Sequence, residues 1–229
     1  MRAALLLLAL SHLSMGFAAP PNVVQIDFVV TSGPAHIGEG SDILEHDGQH
    51  YSIVSESRTA GIAKLFSNTS IRRQSRGQLL DSGMRPETFE EIRTRKPRRA
   101  AEFDWSAMQI RFIDGENSST AVLPPASQDQ TSFTYTFAFG TKLGDLIALP
   151  MTDGRRVTEY QFQKVGTEQL KTELGKLATL HYRKVLEGDE KRGLELWFSL
   201  AHHHLPVRIR YVEKNGTVVD STATRIEYR

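Results

Sequence analysis

The stretch from residue 206 to 229, "PVRIRYVEKNGTVVDSTATRIEYR", gives the clearest indication of the fold. Val207, Ile209 and Tyr211 alternate with charged residues, so apolar and charged side chains fall on opposite faces of an extended chain. The Asn-Gly dipeptide at 215–216 favours the tight turn of a β-hairpin, because both positions tolerate positive φ. The stretch therefore predicts two antiparallel strands with one face in water.

Similar strand-like runs, rich in β-branched and aromatic residues and ending at turn formers, cover most of the chain. They are "NVVQIDFVVTSG" (22–33), "QHYSIVSESR" (49–58), "SAMQIRFIDGENS" (106–118), "TSFTYTFAFG" (131–140), "RRVTEYQFQKVG" (155–166), "TLHYRKVLEG" (179–188) and "GLELWFSL" (193–200). Many short strands at close spacing predict an all-β protein with minor helix, a curved antiparallel sheet forming an open or closed β-barrel or a sandwich. Residues 19–229 are expected to form a single β-rich domain.

Three segments depart from the strand pattern. "TAGIAKLFSN" (59–68) predicts a turn or two of helix, with its apolar residues on one side. "SRGQLLDSGMRPETFEEIR" (75–93) contains two glycines and a proline, which predict a loop or irregular edge. In "GTEQLKTELGKLATLHYRK" (166–184), Gly166 and Gly175 are expected at the ends of the strands of a hairpin.

The N-terminus has the organisation of a secretory signal peptide. Arg2 supplies a positive charge, "AALLLLAL" (3–10) is wholly apolar, and Gly16 and Ala18 provide the small residues that signal peptidase prefers. The apolar run is much shorter than the ~20 residues of a membrane-spanning helix. The pattern predicts a signal peptide at 1–18, cleaved after Ala18, and a periplasmic protein with no transmembrane segment. A buried N-terminal helix is the alternative.

Composition excludes several classes of chemistry. The chain has no cysteine, so disulfides, thiol catalysis, cysteine-bound zinc and a lipidated cysteine anchor are all excluded. Its 28 basic and 27 acidic residues nearly cancel, so the net charge gives no argument for nucleic-acid binding, where a basic face is expected. No phosphate-binding loop, dinucleotide fingerprint or nucleophile elbow is present, and no cofactor is expected.

The triplet His202-His203-His204 raises the question of a metal site. Adjacent side chains of an extended chain point to opposite faces, so only two of the three could ligate one ion, whereas metal sites need three or four protein ligands. The triplet also lies between two strand-like runs, where a hairpin turn belongs. We predict a solvated turn and no metal.

The run "RTRKPRR" (93–99) contains five basic residues. Such a run can attract phosphate or acidic glycans. The alternative, a charged loop or a protected strand edge, is favoured because charge alone carries little specificity.

The chain resembles a bacterial exported family, the domain-of-unknown-function family numbered 3108, over roughly residues 23–228. Seven segments carry this resemblance, and they occur in the order typical of the family. The marks are Ser75, Gly77, Gly83, Pro86 and Phe89, the triplet Phe103-Asp104-Trp105, the pair Gln128-Asp129, and Trp197 followed by "LPVRI" (205–209). Gln130 departs from the leucine common after the Gln-Asp pair. The resemblance implies a periplasmic β-rich protein and brings no catalytic residues with it.

Three functions remain open from the sequence. The first is non-enzymatic binding of an apolar or lipid-like ligand, or of an envelope partner, with a polar cluster at the mouth of a barrel. The residues expected there are Asp104, Trp105, Gln128, Asp129, Ser132 and Arg208. The second is hydrolysis of envelope glycan or lipid by Asp104 and Asp129, which requires both carboxylates in one accessible site. The third is a scaffold that docks through an exposed strand edge.

Overall fold

The computed structural model describes residues 19–65 and 68–229, so the expected signal peptide at 1–18 and Phe66 of the expected helix lie outside the described residues. Fifteen strands are present in these ranges. They are β1 (Val23–Ser32), β2 (Ala35–His46), β3 (His50–Thr59), β4 (Ser70–Leu80), β5 (Gly83–Arg93), β6 (Arg99–Asp104), β7 (Gln109–Asp114), β8 (Asn117–Val122), β9 (Gln128–Asp129), β10 (Leu146–Thr152), β11 (Val157–Thr172), β12 (Gly175–Lys184), β13 (Gly193–Ser199), β14 (Pro206–Val212) and β15 (Val218–Tyr228). Helical structure in the same ranges is limited to a 3₁₀ helix at Gly61–Leu65, the short helix α1 at Ser132–Tyr135, and a 3₁₀ turn at Thr136–Phe139.

All fifteen strands form one sheet in the order β8-β7-β6-β5-β4-β3-β2-β1-β15-β14-β13-β12-β11-β10-β9. Neighbouring strands are antiparallel, apart from the parallel pair β9–β10. The first and last strands of this order are not paired with each other, so the sheet is open along one side. The predicted all-β, curved antiparallel sheet is confirmed, in its open form.

The concave side of the sheet is filled by the segment 128–140, which we call the plug. Every side chain of α1 and the following 3₁₀ turn is buried. Phe133 and Phe137 pack with Phe162, Tyr182 and Phe198 in one aromatic core, while other plug residues join a second core against β1–β3.

The strand predicted at 131–140 is therefore wrong. A strand with one wet face needs side chains that alternate between water and core, and this segment has no wet face. A chain that crosses the interior must satisfy its own backbone hydrogen bonds, and helical turns do so locally.

The loop predicted at 75–93 is also wrong, because it forms most of β4 and all of β5. Gly77 lies at an irregularity in the pairing with β5, opposite Pro86. A Cβ at Gly77 would lie 2.1 Å from the carbonyl oxygen of Arg85, so only glycine permits this approach. The turn formers that suggested a loop instead allow two strands to pair closely through a bulge.

The C-terminal hairpin forms as predicted. β14 and β15 pair in antiparallel register, and Gly216 in the turn has a φ of 84°. The histidine triplet lies in the turn between β13 and β14, where His203 and His204 adopt left-handed backbone conformations. Of the two predicted strand-end glycines, Gly175 begins β12, whereas Gly166 lies inside β11 at a register shift.

Candidate functional site

The plug is fastened to the sheet by a buried carboxylate. Asp129 is fully inaccessible to solvent and accepts a 2.6 Å hydrogen bond from Ser75 Oγ on β4. The backbone N–H groups of Thr131 and Ser132 donate to its other oxygen at 2.8 and 2.9 Å. Ser75 Oγ also lies 3.1 Å from the hydroxyl of Tyr51. Burial raises the pKa of Asp129 above its ordinary value, against these hydrogen bonds.

A second set of contacts fixes the plug to the β4–β5 turn. The Gln128 side chain donates to the carbonyl of Met84 at 2.7 Å, and the backbone N–H of Met84 donates to Thr136 Oγ1 at 2.9 Å. Gly83, with a φ of 116°, leaves room for the Thr136 side chain, since a Cβ at this position would lie 2.5 Å from Thr136 Oγ1. Ser75 and Gly83, two of the residues that carry the family resemblance, thus serve to seat the plug.

The structure brings together three of the six residues expected in a polar cluster. Gln128, Asp129 and Ser132 all belong to the plug and are buried. Trp105 donates its indole N–H to the carbonyl of Pro86 at 2.6 Å, which ties the β6–β7 turn to β5.

Asp104 lies apart from that cluster, exposed at the end of β6. It accepts hydrogen bonds from the side chain of Ser106 and from the backbone of Ser106 and Ala107. These hydrogen bonds, the one from the Ser106 hydroxyl foremost, lower its pKa. Asp104 therefore acts as a turn former.

Asp104 and Asp129 do not form the paired site that hydrolysis requires. Ser75, which holds Asp129, pairs across the sheet with Phe89, and Phe89 pairs with Ala101 on β6. Phe103 shares the face of Ala101, so Asp104 points to the opposite face. With Asp129 inaccessible and Asp104 on the other side of the sheet, no single accessible site contains both carboxylates.

Arg208 belongs to a charged cluster on β12–β15. It donates to both oxygens of Asp220 at 3.0 and 2.9 Å, as does Arg210. The guanidinium of Arg208 lies 4.9 Å from the ring centre of the buried Trp197. The ring of His181 also stacks on Trp197, with the ring centres 4.1 Å apart. The arrangement covers an aromatic ring with paired charges and stabilises the sheet.

An ionic centre that the sequence did not reveal lies on β4–β6. Glu91 is 1% exposed and is bound by three arginines. Arg73 Nε donates to it at 2.7 Å, Arg93 binds both of its oxygens at 2.7 and 2.8 Å, and Arg99 lies at 3.4 Å. Burial acts to raise the pKa of Glu91, but the hydrogen bonds and charges of Arg93 and Arg73 hold it below the ordinary value.

A groove of about 720 Å³ opens across β1–β4. Two alternate cross-strand rows on one face of these strands line it, Asp27-Ser41-Glu56-Arg72 and Val29-Glu39-Arg58-Ser70. The row Phe28-Gly40-Ser57-Ile71 lies between them. Glu173, in the turn between β11 and β12, contributes from a distant part of the chain.

The groove has an excess of negative charge. Four carboxylates line it, those of Asp27, Glu39, Glu56 and Glu173, against the two guanidinium groups of Arg58 and Arg72. Arg58 lies 2.8 Å from Glu39, Arg72 lies 3.1 Å from Glu56, and Arg225 on β15 lies 2.6 Å from Asp27. Glu173 has no ion pair among the described residues. A bound molecule with a positive charge would therefore find one carboxylate, that of Glu173, not paired with an arginine.

Two features are absent from residues 19–65 and 68–229. Their histidine and acidic side chains form no cluster of three or more that could hold a metal ion. None of their helices combines the length and apolar character needed to span a membrane.

The open sheet with a buried plug defines a β-barrel-like protein, and one solved structure at a TM-score above 0.5 shares this fold. A β-barrel-like protein of the domain-of-unknown-function family 1849 from Brucella abortus matches with a TM-score of 0.55 and 10% identity, over 92% of this chain and 99% of that one. A protein from Bacteroides fragilis described as exported, with a YmcC-like fold, gives 0.40 and 11%, over 92% and 98%. A protein from Parabacteroides distasonis described as a lipoprotein gives 0.40 and 8%, over 92% and 97%.

The family model described as "Protein of unknown function (DUF3108)" matches residues 27–223. The chain belongs to this family, and the resemblance inferred from its motifs is confirmed. A search of the curated proteins finds no match.

Proposed function

We propose that the protein is an exported, non-enzymatic binding protein of the bacterial cell envelope, and that its ligand is a small polar molecule with positive charge. The observation that carries this proposal is the acidic groove on β1–β4. Its volume of about 720 Å³ lies within the range of small-molecule sites. Export is inferred from the signal-peptide pattern of residues 1–18.

The filled interior argues for a polar rather than a lipid-like ligand. The plug places its own aromatic side chains where an apolar ligand would lie in a hollow barrel. The groove on β1–β4 is lined by charged and hydroxyl side chains together with Phe28, Val29 and Ile71. Burying an apolar chain against these groups would strip water from them without replacing their hydrogen bonds.

Binding rather than catalysis is favoured by how the groove side chains are engaged. Glu39 and Glu56 are paired with arginines, and the Arg58 hydrogen bond lowers the pKa of Glu39. The ring of His36 lies 2.9 Å from the carbonyl oxygen of Gly38 rather than beside a serine. The lining therefore offers charge and hydrogen bonds but no activated nucleophile.

Spermidine is a suitable probe, measured by calorimetry with the mature protein at low salt. We expect micromolar to millimolar binding and a loss of about tenfold in affinity for Glu173→Gln, since removing one charge–charge contact costs about 1.4 kcal/mol. Glu187→Gln is the matched control, an exposed carboxylate with no ion pair among the described residues and outside the groove. Ser41→Trp, which fills the groove, is expected to abolish binding, whereas Ser41→Ala, which removes the same 2.7 Å hydrogen bond to Asp27 without filling the groove, should retain it.

Two results would reject the proposal. One is a wild-type protein that binds neither spermidine nor another small cation. The other is a protein that, when purified from the envelope, carries a stoichiometric lipid that survives Ser41→Trp.

A further inference from the structure

Beside the plug, the concave face of the sheet carries a layer of polar side chains. Cross-strand pairing places one residue from each of six strands, β2 to β7, in this polar layer. They are Asp42, Ser55, Arg73, Glu91, Arg99 and Asp114. Ser75, two residues along β4 from Arg73, binds Asp129 of the plug, so the layer lies on the face that the plug covers. The Tyr135 hydroxyl of the plug donates to Asp42 at 2.7 Å, and the plug and the layer are therefore in contact.

Three guanidinium groups cover the Glu91 carboxylate in this layer. They belong to Arg73, Arg93 and Arg99, and each lies within 3.4 Å of it. Arg93 is two residues along β5 from Glu91 and shares its face. Glu91 is 1% exposed, whereas the side chains of Arg73 and Arg93 are 25% and 34% exposed. Solvent on the concave side therefore meets the guanidinium groups rather than the carboxylate.

Several donors of these guanidinium groups remain free. A guanidinium group carries five N–H donors. Arg73 donates to Glu91 through Nε, and its two Nη atoms have no hydrogen-bond partner among the described residues. Arg93 donates through Nε and Nη2, which leaves its Nη1 without a partner in the same ranges. The layer therefore offers to a bound molecule the N–H donors of two arginines that one carboxylate holds in place.

The other two carboxylates of the layer are already engaged. Asp42 accepts the hydroxyl of Tyr135, and burial raises the pKa of Asp42, so ionisation of this carboxyl is disfavoured. Asp114 lies 2.8 Å from Arg155 and 3.8 Å from Arg99. With Arg155 included, four guanidinium groups accompany three carboxylates. The layer has a surplus of positive charge.

Tyr211 on β14 faces this layer from across the concave side. It shares the face of Ile209, which packs against the aromatic core that contains the plug. Burial raises the pKa of Tyr211. The nearby charge of Arg73 acts against this shift, that of Asp42 adds to it, and that of Arg93 acts against it. The side chain is nevertheless 47% exposed, so it lines a hollow that is open to solvent.

We propose that the polar layer and Tyr211 form an interior site for a small organic oxyanion, a phosphate or carboxylate that carries an apolar portion. The oxyanion binds the free donors of Arg73 and Arg93, because a guanidinium group holds phosphate or carboxylate through two parallel hydrogen bonds. The ring of Tyr211 packs against the apolar portion of the molecule.

This interior site is separate from the acidic groove and takes the opposite charge. Ser41 and Glu56 of the groove are the sequence neighbours of Asp42 and Ser55 of the polar layer. Neighbouring side chains of a strand point to opposite faces, so the groove lies on the other side of the same strands. Binding at one site can therefore be measured without occupying the other.

Calorimetric titration of the full mature protein with phenyl phosphate and with benzoate tests the proposal and distinguishes a phosphate from a carboxylate site. We expect saturable one-to-one binding of one or both at low salt. The ringless anions, inorganic phosphate and acetate, should bind at least threefold more weakly. Arg73→Gln is expected to weaken binding about tenfold, because the oxyanion loses a charged donor. Arg111→Gln is the matched control, since Arg111 pairs with Glu102 at 3.4 Å on the opposite face of the sheet, and it should leave binding unchanged.

Two further variants separate binding from folding. Arg73→Lys keeps a positive charge beside Glu91, so we expect a melting temperature close to that of the wild type. It loses the planar pair of donors and should bind at least threefold more weakly. Tyr211→Ala removes a half-exposed ring and should abolish the preference for the anions that carry a ring.

Three results would overturn the proposal. The first is a wild-type protein that binds none of the four anions at millimolar concentration. The second is binding that Arg73→Lys and Tyr211→Ala both leave unchanged, since the anion would then lie elsewhere. The third is equal weakening by Arg111→Gln and Arg73→Gln, which would show a response to net charge alone.

Discussion

Two buried carboxylates, one on β5 and one in the plug, are satisfied in opposite ways. Glu91 on β5 is 1% exposed and is neutralised by three arginines from β4, β5 and β6. Asp129 in the plug is fully inaccessible and is held by hydroxyl and backbone N–H donors, none of which carries a charge. The pKa of Glu91 is lowered and that of Asp129 is raised.

The difference shows what each centre does for the fold. The Glu91 centre is an ion cluster along three adjacent strands, and its arginines remain partly exposed at 16 to 34%. The Asp129 centre joins the sheet to a segment far away in sequence. It does so through hydrogen bonds of defined direction, in an environment where ionisation is unfavourable. One centre depends on charge and the other on geometry.

Glu91→Gln is expected to give the largest effect. Removing the charge leaves three arginines without their partner, and we expect a loss of about 3 kcal/mol in the free energy of unfolding. Urea denaturation followed by circular dichroism measures it. Glu90→Gln, which alters only the pair with Arg98, is the control, with an expected loss below about 1 kcal/mol. Equal losses for the two variants would show that the three arginines do not depend on Glu91.

Asp129→Asn is expected to cost less, about 1 kcal/mol. The asparagine oxygen can still accept the two backbone hydrogen bonds, and its amide can donate to Ser75, so the geometry is retained without the charge. Asp129→Ala, which leaves those donors unpaired, should cost about 2 to 3 kcal/mol by the same denaturation measurement. If asparagine were as harmful as alanine, the charge rather than the geometry would hold the plug.

The smallest effect is a change of these losses with pH, and its sign differs between the two centres. The pKa of Glu91 is lowered on folding, so its contribution is present above the ordinary value of 4.5 and is lost as the pH falls through the folded value. The loss caused by Glu91→Gln should therefore shrink in acid. The pKa of Asp129 is raised above 3.8 in the folded protein, so protonation of Asp129 adds stability to the folded state as the pH falls through this raised pKa. The loss caused by Asp129→Asn should grow between pH 7 and 4. Parallel pH profiles of the two variants would contradict the contrast.

The sheet was predictable from the sequence where one face of a strand is wet. The hairpin of β14 and β15 follows from the alternation at 206–212 and the Asn-Gly turn, and the structure confirms the two paired strands and the turn. The predicted wet face is found only in part, because Tyr211 is 47% exposed whereas the side chains of Arg208 and Arg210 are 22% and 30% exposed. The turn at the histidine triplet follows from its place between two strands. These features depend on local pattern, which the sequence contains in full.

The plug and the β4–β5 pair were not predictable in this way. Aromatic and β-branched residues at 131–140 favour a strand locally, but burial on all sides selects helical turns. Gly77 and Pro86 favour a loop when only the sequence is considered. In the structure the two residues pair with each other across β4 and β5 at a bulge. Both errors arise because tertiary contacts override local preference.

The candidate sites depend even more on pairing across the sheet. The groove brings together residues as distant in sequence as Asp27 and Glu173, and no spacing within the chain indicates their proximity. The family resemblance marks the pair Gln128-Asp129, but it does not show what the pair does. That the pair fastens the plug becomes visible only when the position of β4 is known. The hydrophobic periodicity of a strand indicates which face of the sheet a residue occupies. It does not indicate which residue of another strand lies beside it.

The pairing of β1 with β15 has a consequence for how the molecule is made. The first and last strands are neighbours near the middle of the sheet, and the backbone N–H and carbonyl of Val23 bond to those of Arg229. A polypeptide made from its N-terminus onward cannot complete this pairing until residues 218–228 have been made. The two halves of the sheet, β1–β8 and β9–β15, are therefore joined by a contact of very large sequence separation, which makes it a late event in assembly.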